Sequence, residues 1–209
     1  MICPLCLSHN CQQVGSDKRR CFFRCDTCTL IFVPHAYHLT SQQERRRYDL
    51  HDNTESNEGY VRFLTQVADI VEDESSSHAR ILDFGCGREA VLSKILRHRG
   101  KRCDCYDPLY HHSITDTSVR YDVIVLCEVI EHCRDVQCTL HEIKRLLTDN
   151  ATVLIRTQCY PPVDRLTTWW YAQDMTHVNF FSQQALETAA HILDKKLYVT
   201  SYRDVFLIR

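Results

Sequence analysis

The stretch that most restricts the fold of this chain is ILDFGCGREA, residues 81–90. An apolar run stops at Gly85 and Gly87, and EAVLSKILRHRG then continues with helical periodicity as far as Gly100. A strand that feeds a helix through a glycine turn is the opening unit of a parallel sheet. Only five glycines occur in 209 residues. Two of them here mark a backbone that other residues avoid, or a close approach to a ligand. In such sheets ligands bind outside the carboxyl ends of the strands.

The same alternation continues downstream. ARILDF, CDCY, YDVIVLCEVI and ATVLIRT read as strands, while VQCTLHEIKRLL and SQQALETAAHIL read as amphipathic helices. KLYVTSY and DVFLIR close the chain as a nearby antiparallel pair. The fold class is therefore α/β, a Rossmann-like parallel sheet with helices on both faces. Upstream, residues 40–74 are polar, and YVRFLTQVADIVED places Val61, Leu64, Val67, Ala68 and Val71 on one helical face. Arg45–Arg47 reads as a solvated helix face, and SSSH (75–78) as a flexible break.

Cysteine spacing marks a second unit. Cys3-Pro-Leu-Cys6 and Cys25-Asp-Thr-Cys28 stand 18 residues apart, and four thiolates in two such turns make the tetrahedral sulfur cage that Zn2+ prefers. The spacing predicts a zinc ribbon with a structural ion, which supplies the stability that so short a segment lacks by itself. Cys11, Cys21 and His9 fall outside the paired spacing, and the other seven of the 13 cysteines read as small buried hydrophobes. The expected organisation is a zinc ribbon over 1–38, a helical linker region over 39–78 and the main domain over 79–209.

Charge limits the partners. Residues 1–50 carry a net +3 and the remainder −5, with no dense Lys/Arg stripe, so a large nucleic-acid footprint is not favoured. No apolar run is long enough to span a bilayer, and the N-terminus MICPLCLSHN lacks the pattern of a signal peptide. A cytoplasmic protein with no membrane partner is expected; the oligomeric state is not legible.

Gly85-Cys86-Gly87-Arg88-Glu89-Ala90 satisfies the dinucleotide fingerprint G-x-G-x-x-A, which alone does not decide which nucleotide binds. Asp83 inside the first strand, Glu128 and Glu131-His132 after a buried strand, and the closing strand pair point elsewhere. ILDFGCG, CYDP and YDVIVLCEVIEH resemble the first-, second- and fourth-strand motifs of class I S-adenosylmethionine (SAM)-dependent methyltransferases. With CPLC, RCDTCTLIFVP, YDLHDN, EGYVRFL and WWYAQDMTHVNFFS, the chain is similar from about residue 3 onward to a bacterial branch of that family with an N-terminal zinc ribbon.

The resemblance implies roles by position. Gly85, Cys86 and Gly87 would pass close to the methionine part of SAM, Asp107 would take the ribose hydroxyls, and Cys127 and Glu128 would lie near the sulfonium. Asp83 would orient the turn or reach the SAM amino group. Two departures stand out. Glu89 occupies the place of a third glycine, where it could cap the helix N-terminus. Only 13 residues separate Asp107 from Tyr121, so the sheet should be abbreviated between its second and fourth strands, with adenine held by elements such as Pro108–His112. A degenerate relic that uses its ribbon to bind a partner is the alternative.

Methyl transfer asks mainly for positioning, plus a base where the acceptor must lose a proton. Glu131, His132, Asp174 and His177 are the candidate catalytic residues. The aromatic stretch around Trp169–Phe181 is the candidate acceptor site. Phe180 and Phe181 are expected to pack under the following helix, and His111-His112 to face solvent. A small-molecule acceptor is slightly favoured over RNA.

Overall fold

The computed structural model describes residues 1–112 and 118–209. In chain order the elements are β1 (Cys11–Ser16), β2 (Cys21–Cys25), β3 (Ile31–Phe32), α1 (Ser41–Tyr48), α2 (Glu58–Asp73), β4 (Arg80–Phe84), α3 (Val91–His98) and β5 (Arg102–Tyr106). They continue as β6 (Tyr121–Cys127), α4 (Val136–Leu146), β7 (Leu147–Arg156), β8 (Asn179–Phe180), α5 (Gln183–Ile192), β9 (Leu197–Val199) and β10 (Val205–Ile208).

Alternation along the central strands sets the layers. Ile81, Val123, Val125, Leu154 and Leu207 face α2 and α3, where they meet Leu64, Val67, Ala68, Val71, Leu92 and Leu96. Their neighbours Leu82, Ile124, Leu126, Val153, Ile155 and Ile208 point to the other side, onto Leu140, Ile143, Leu186 and Ala189 of α4 and α5. A period of two on strands buried on both faces gives helices on both sides of one sheet. The predicted face of α2 is buried, with Ile70 added and Val61 at its margin.

The six strands run in the order β5-β4-β6-β7-β10-β9. The first four are parallel, and β10 lies antiparallel between β7 and β9. Among the described residues the sheet begins at β5. The abbreviated region expected after Asp107 includes residues 113–117, which lie outside those described; before them the Asp107–His111 bridge folds the loop back on itself. Among the described residues no helix is long and apolar enough to cross a membrane.

The cysteine-rich segment does not stand apart from this domain. Its sheet runs β1-β2-β3-β8, so its fourth strand comes from residues 179–180. Cys3, Leu5, Cys25, Cys28 and Leu30 pack in the same apolar cluster as α4 and α5. The Pro4 carbonyl accepts from Gln137 N, and Thr29 Oγ1 bonds Ser182 Oγ, which also caps α5 through Ala185 N. Phe181 packs toward α5 as expected, but Phe180 turns the other way, edge-on to Phe22 of β2.

Candidate active site

A cavity of about 1230 Å³ opens at the carboxyl ends of β4, β5, β6 and β7, walled by α1 and by the loop between β7 and β8. That volume is large enough for a nucleoside-sized ligand with a second small molecule beside it.

One end is built by the glycine turn. Gly85 N and Cys86 N both donate to the Tyr106 carbonyl, which folds the turn over the end of β5. At Gly85 φ is +82°, and a Cβ there would lie 2.5 Å from Val129 Cγ2. Gly87, at φ +68°, has open space where its Cβ would stand. Asp107 ties the turn to the next loop: Oδ2 accepts from Gly87 N at 3.0 Å, and Oδ1 accepts from Leu109 N and Tyr110 N. This carboxylate lines the cavity and keeps one lone pair to spare. With Gly87 beside it, a cradle of bare backbone and one acid fits the ribose and the methionine part of SAM.

The other residues named from the sequence fall in different places. Asp83 is buried behind the turn, where Oδ2 accepts from Ser93 Oγ and N at the start of α3. It does not line the cavity. Burial pushes its carboxyl up to about 6, against the pull of the Ser93 bonds. Cys86, Cys127 and Glu128 all line the cavity. Burial raises both thiols, so neither is a ready nucleophile. Glu128 takes the left-handed conformation (φ +55°), strain of the kind that gathers at functional sites. Glu89 does not cap α3: its carboxylate lies 3.6 Å from Lys94 Nζ, and the position before the helix is Ala90, with no side-chain cap. Within the loop predicted to hold adenine, His111 Nε2 bonds the Arg88 carbonyl and Tyr110 Oη donates to Asp49, while His112 is exposed.

Three of the four candidate catalytic residues meet where the loop after β6 faces the segment before β8. Ligand atoms of Glu131, His132 and His177 lie within 4.8 Å of one another. Glu131 is wholly buried; Oε1 accepts from Tyr171 Oη at 2.6 Å and Oε2 from Thr157 Oγ1 at 3.1 Å. Burial, with the nearby Glu128 charge, pushes its carboxyl up to about 8. His132 Nδ1 sits 3.1 Å from the Thr176 carbonyl, and His177 Nδ1 sits 2.7 Å from the Tyr171 carbonyl. A carbonyl only accepts, so each ring carries its hydrogen on Nδ1 and a lone pair on Nε2. Burial lowers His132 to about 3 and His177 to about 4, so both rings are neutral at neutral pH. Both line the cavity, whereas Glu131 lies behind them.

Asp174 has a different task. Oδ1 accepts from Thr176 N and Oγ1, and Oδ2 from Arg47 of α1 at 3.1 Å. Burial pushes this carboxyl up, but those bonds outweigh it and hold it below the ordinary range. The side chain is thus a clamp between α1 and the loop. The basic run is correspondingly more than a solvated face, because Arg47 pairs with Asp174 and Arg45 lies over the Tyr110 ring.

The sequence reading missed Arg20, which is 2% exposed. From the turn between β1 and β2, its guanidinium donates to the carbonyls of Ala172, Asp174 and His177. It thereby fixes the loop that presents His177. Arg156, at the end of β7, was also missed; it lines the cavity with its guanidinium 3.7 Å over the Phe63 ring. Neither shows any local signal, because each is one basic residue whose partners lie far along the chain.

The four paired cysteines converge as their spacing predicts, with all Sγ atoms within 4.8 Å. Cys3–Cys28 and Cys6–Cys25 are each 3.5 Å apart, close to the roughly 3.8 Å between sulfurs that share a tetrahedral Zn2+ at about 2.3 Å. The two knuckles match: Leu7 N donates to Cys3 O and Thr29 N to Cys25 O, and both Leu7 and Thr29 are left-handed. The donor set fits a structural zinc ion, and Cys11 and Cys21 stay outside it.

The sequence profile of a methyltransferase domain matches residues 50–194. Among solved structures, an O-methyltransferase family protein from Burkholderia thailandensis aligns with a TM-score of 0.54 at 15% identity, over 79% of this chain and 61% of that one. Magnesium protoporphyrin IX methyltransferase (ChlM) from Synechocystis PCC 6803, with SAH bound, aligns at 0.53 and 12% identity, over 80% of this chain and 91% of its own. Streptomyces venezuelae DesVI aligns at 0.52 and 11% identity, over 82% and 99%. These likenesses are of fold. This chain thus spans about three fifths of the Burkholderia protein's length. No curated protein matches by sequence.

Proposed function

This chain belongs to the methyltransferase-domain family, and we propose that it uses SAM to methylate a small-molecule acceptor held against His132 and His177. The carrying observation is that one cavity runs from Gly85, Gly87 and Asp107 to the two histidines. SAM supplies an electrophilic methyl on a sulfonium, so the chain's own work is positioning and proton removal.

Asp107 takes a ribose hydroxyl with the one lone pair not spent on Gly87, Leu109 and Tyr110. Gly85 and Gly87 keep side chains away from the methionine part, with Cys86 on the same turn and Cys127 and Glu128 opposite. Asp83 acts as a positioning residue that anchors α3 through Ser93. The SAH held by the Synechocystis fold relative belongs to the same ligand class.

At the far end, the Nε2 lone pairs of His132 and His177 receive the acceptor's O–H or N–H. Glu131 Oε1, 3.9 Å from His132 Nε2, balances positive charge that gathers there. Asp174 and Arg20 hold the loop, and the zinc-bound cysteines hold the ribbon that carries Arg20. The division into 1–38, 39–78 and 79–209 follows these tasks. The modest charge of the chain supports a small acceptor over RNA.

Calorimetric titration of the full-length, zinc-loaded protein with SAH tests this reading. We expect micromolar binding that Asp107→Ala weakens by about 2 kcal/mol, from loss of charge-assisted hydrogen bonds. A folded protein that binds neither SAH nor SAM would overturn it and leave a partner-binding protein with a zinc ribbon.

A further inference from the structure

We infer that Glu131, His132 and His177 form a second metal site, which takes a divalent first-row transition ion with an open face toward the acceptor. The inference rests on the reading of this trio as the acceptor end. It replaces a direct hydrogen bond from acceptor to imidazole with a contact through the ion.

The donor set is the first argument. Two imidazole nitrogens and one carboxylate oxygen, with ligand atoms within 4.8 Å of one another, suit Zn2+, Fe2+, Mn2+ or Co2+. Side-chain movements of about 1 Å bring such atoms to bonding distance, given metal bonds of about 2.0–2.2 Å.

The surroundings are the second argument. Metal-binding histidines usually give their other N–H to a carbonyl or carboxylate, and ligating carboxylates are themselves hydrogen-bonded. All of those supports are in place. The Thr176 and Tyr171 carbonyls take the Nδ1 hydrogens, and Tyr171 Oη and Thr157 Oγ1 donate one bond to each oxygen of Glu131. Arg20 then holds the His177 carbonyl from behind. The outer layer of a metal site is complete, and each ring keeps a lone pair on Nε2.

Charge is the third argument. A wholly buried carboxyl group ionises readily only with a cation beside it. Among the described residues no Lys or Arg forms an ion pair with Glu131; its one basic neighbour within 4 Å is His132, whose ring is neutral. Arg20 is committed to backbone carbonyls and Arg134 to Glu44. A divalent ion at the trio fills this place, and because His132 and His177 both line the cavity its remaining positions open there. An acceptor oxygen bound there would lose its proton more readily.

The test uses full-length protein already carrying one equivalent of zinc. It is titrated with Co2+ alone, with metal content and visible absorption followed together. We expect one further equivalent, with weak d–d bands and no growth of thiolate-to-cobalt charge transfer, which separates it from exchange at the cysteines. His132→Ala, His177→Ala and Glu131→Gln should each weaken uptake by at least about tenfold. No second equivalent in folded wild-type protein, or uptake unchanged by all three substitutions, overturns the site. SAH titration of the same samples keeps the two readings apart. SAH binding without Co2+ uptake sinks the metal alone, and Co2+ uptake without SAH binding sinks the SAM reading alone.

Discussion

The glycine-turn end of the cavity is built from sequence neighbours, whereas its histidine end is gathered from the whole chain. Gly85, Gly87 and Asp107 are joined by the backbone bonds of one strand-turn-helix unit and the loop after the next strand. Glu131, by contrast, meets Thr157 and Tyr171, which lie 26 and 40 residues further on, and Arg20 reaches carbonyls more than 150 residues away. Local assembly sets a backbone shape that any nucleotide-binding unit can reuse. Long-range assembly sets the chemistry of one pocket and makes it depend on the ribbon. If that contrast is real, the two ends should fail separately.

The largest effect is expected from Arg20→Met. Three carbonyls of the loop lose a charged donor in a buried setting, and we expect a loss of about 4 kcal/mol in unfolding free energy. At temperatures where the variant is still folded, acceptor turnover and Co2+ uptake should fall while SAH affinity stays at the wild-type value. Equal losses at both ends would break the comparison.

Next in size is the pair of glycines. Gly85→Ala must both hold φ near +82° and displace Val129, an expected loss of about 3 kcal/mol. Gly87→Ala meets nothing, so only its backbone conformation opposes it, at about 1 kcal/mol. That new methyl points into open space at the cradle, so SAH affinity should suffer more than stability does. Denaturant unfolding combined with SAH titration separates the two, and similar stability losses for both variants would contradict the geometry.

The same contrast explains what was legible in the sequence. Strand and helix periods, the glycine turn and the paired cysteines are local signals, and the elements they mark form where they were placed. Besides Arg20 and Arg156, two features had no such signal. A two-residue strand at Asn179–Phe180 carries no period of its own, yet it joins the ribbon to the main domain. The buried state of Glu131 depends on Tyr171 and Thr157, so EVIEH reads as a polar loop end until those partners are known. Asp174 had the residue type of a base, but its bonds to Thr176 and Arg47 make it a clamp.

The last prediction concerns Asp83, and it sharpens the local half of the comparison. This carboxyl is buried beneath the turn, near Asp107 and Arg97, with Ser93 as its hydrogen-bond donor. Its pKa rises from 3.8 to about 6 because burial disfavours the charged form. The folded state therefore binds this proton more tightly than the unfolded state does. Its contribution to stability is fully present below the unfolded pKa and is lost as pH rises through the folded one. Between pH 3.8 and about 6 the Asp83 contribution should decline by on the order of 2 kcal/mol. Asp83→Asn keeps an acceptor for Ser93 and has no proton to lose, so its stability curve should lack that decline. Chemical unfolding of both proteins across this window gives the difference directly, free of the other groups that titrate there. Parallel curves would mean that Asp83 is solvated or paired, and that the turn is held by Asp107 alone.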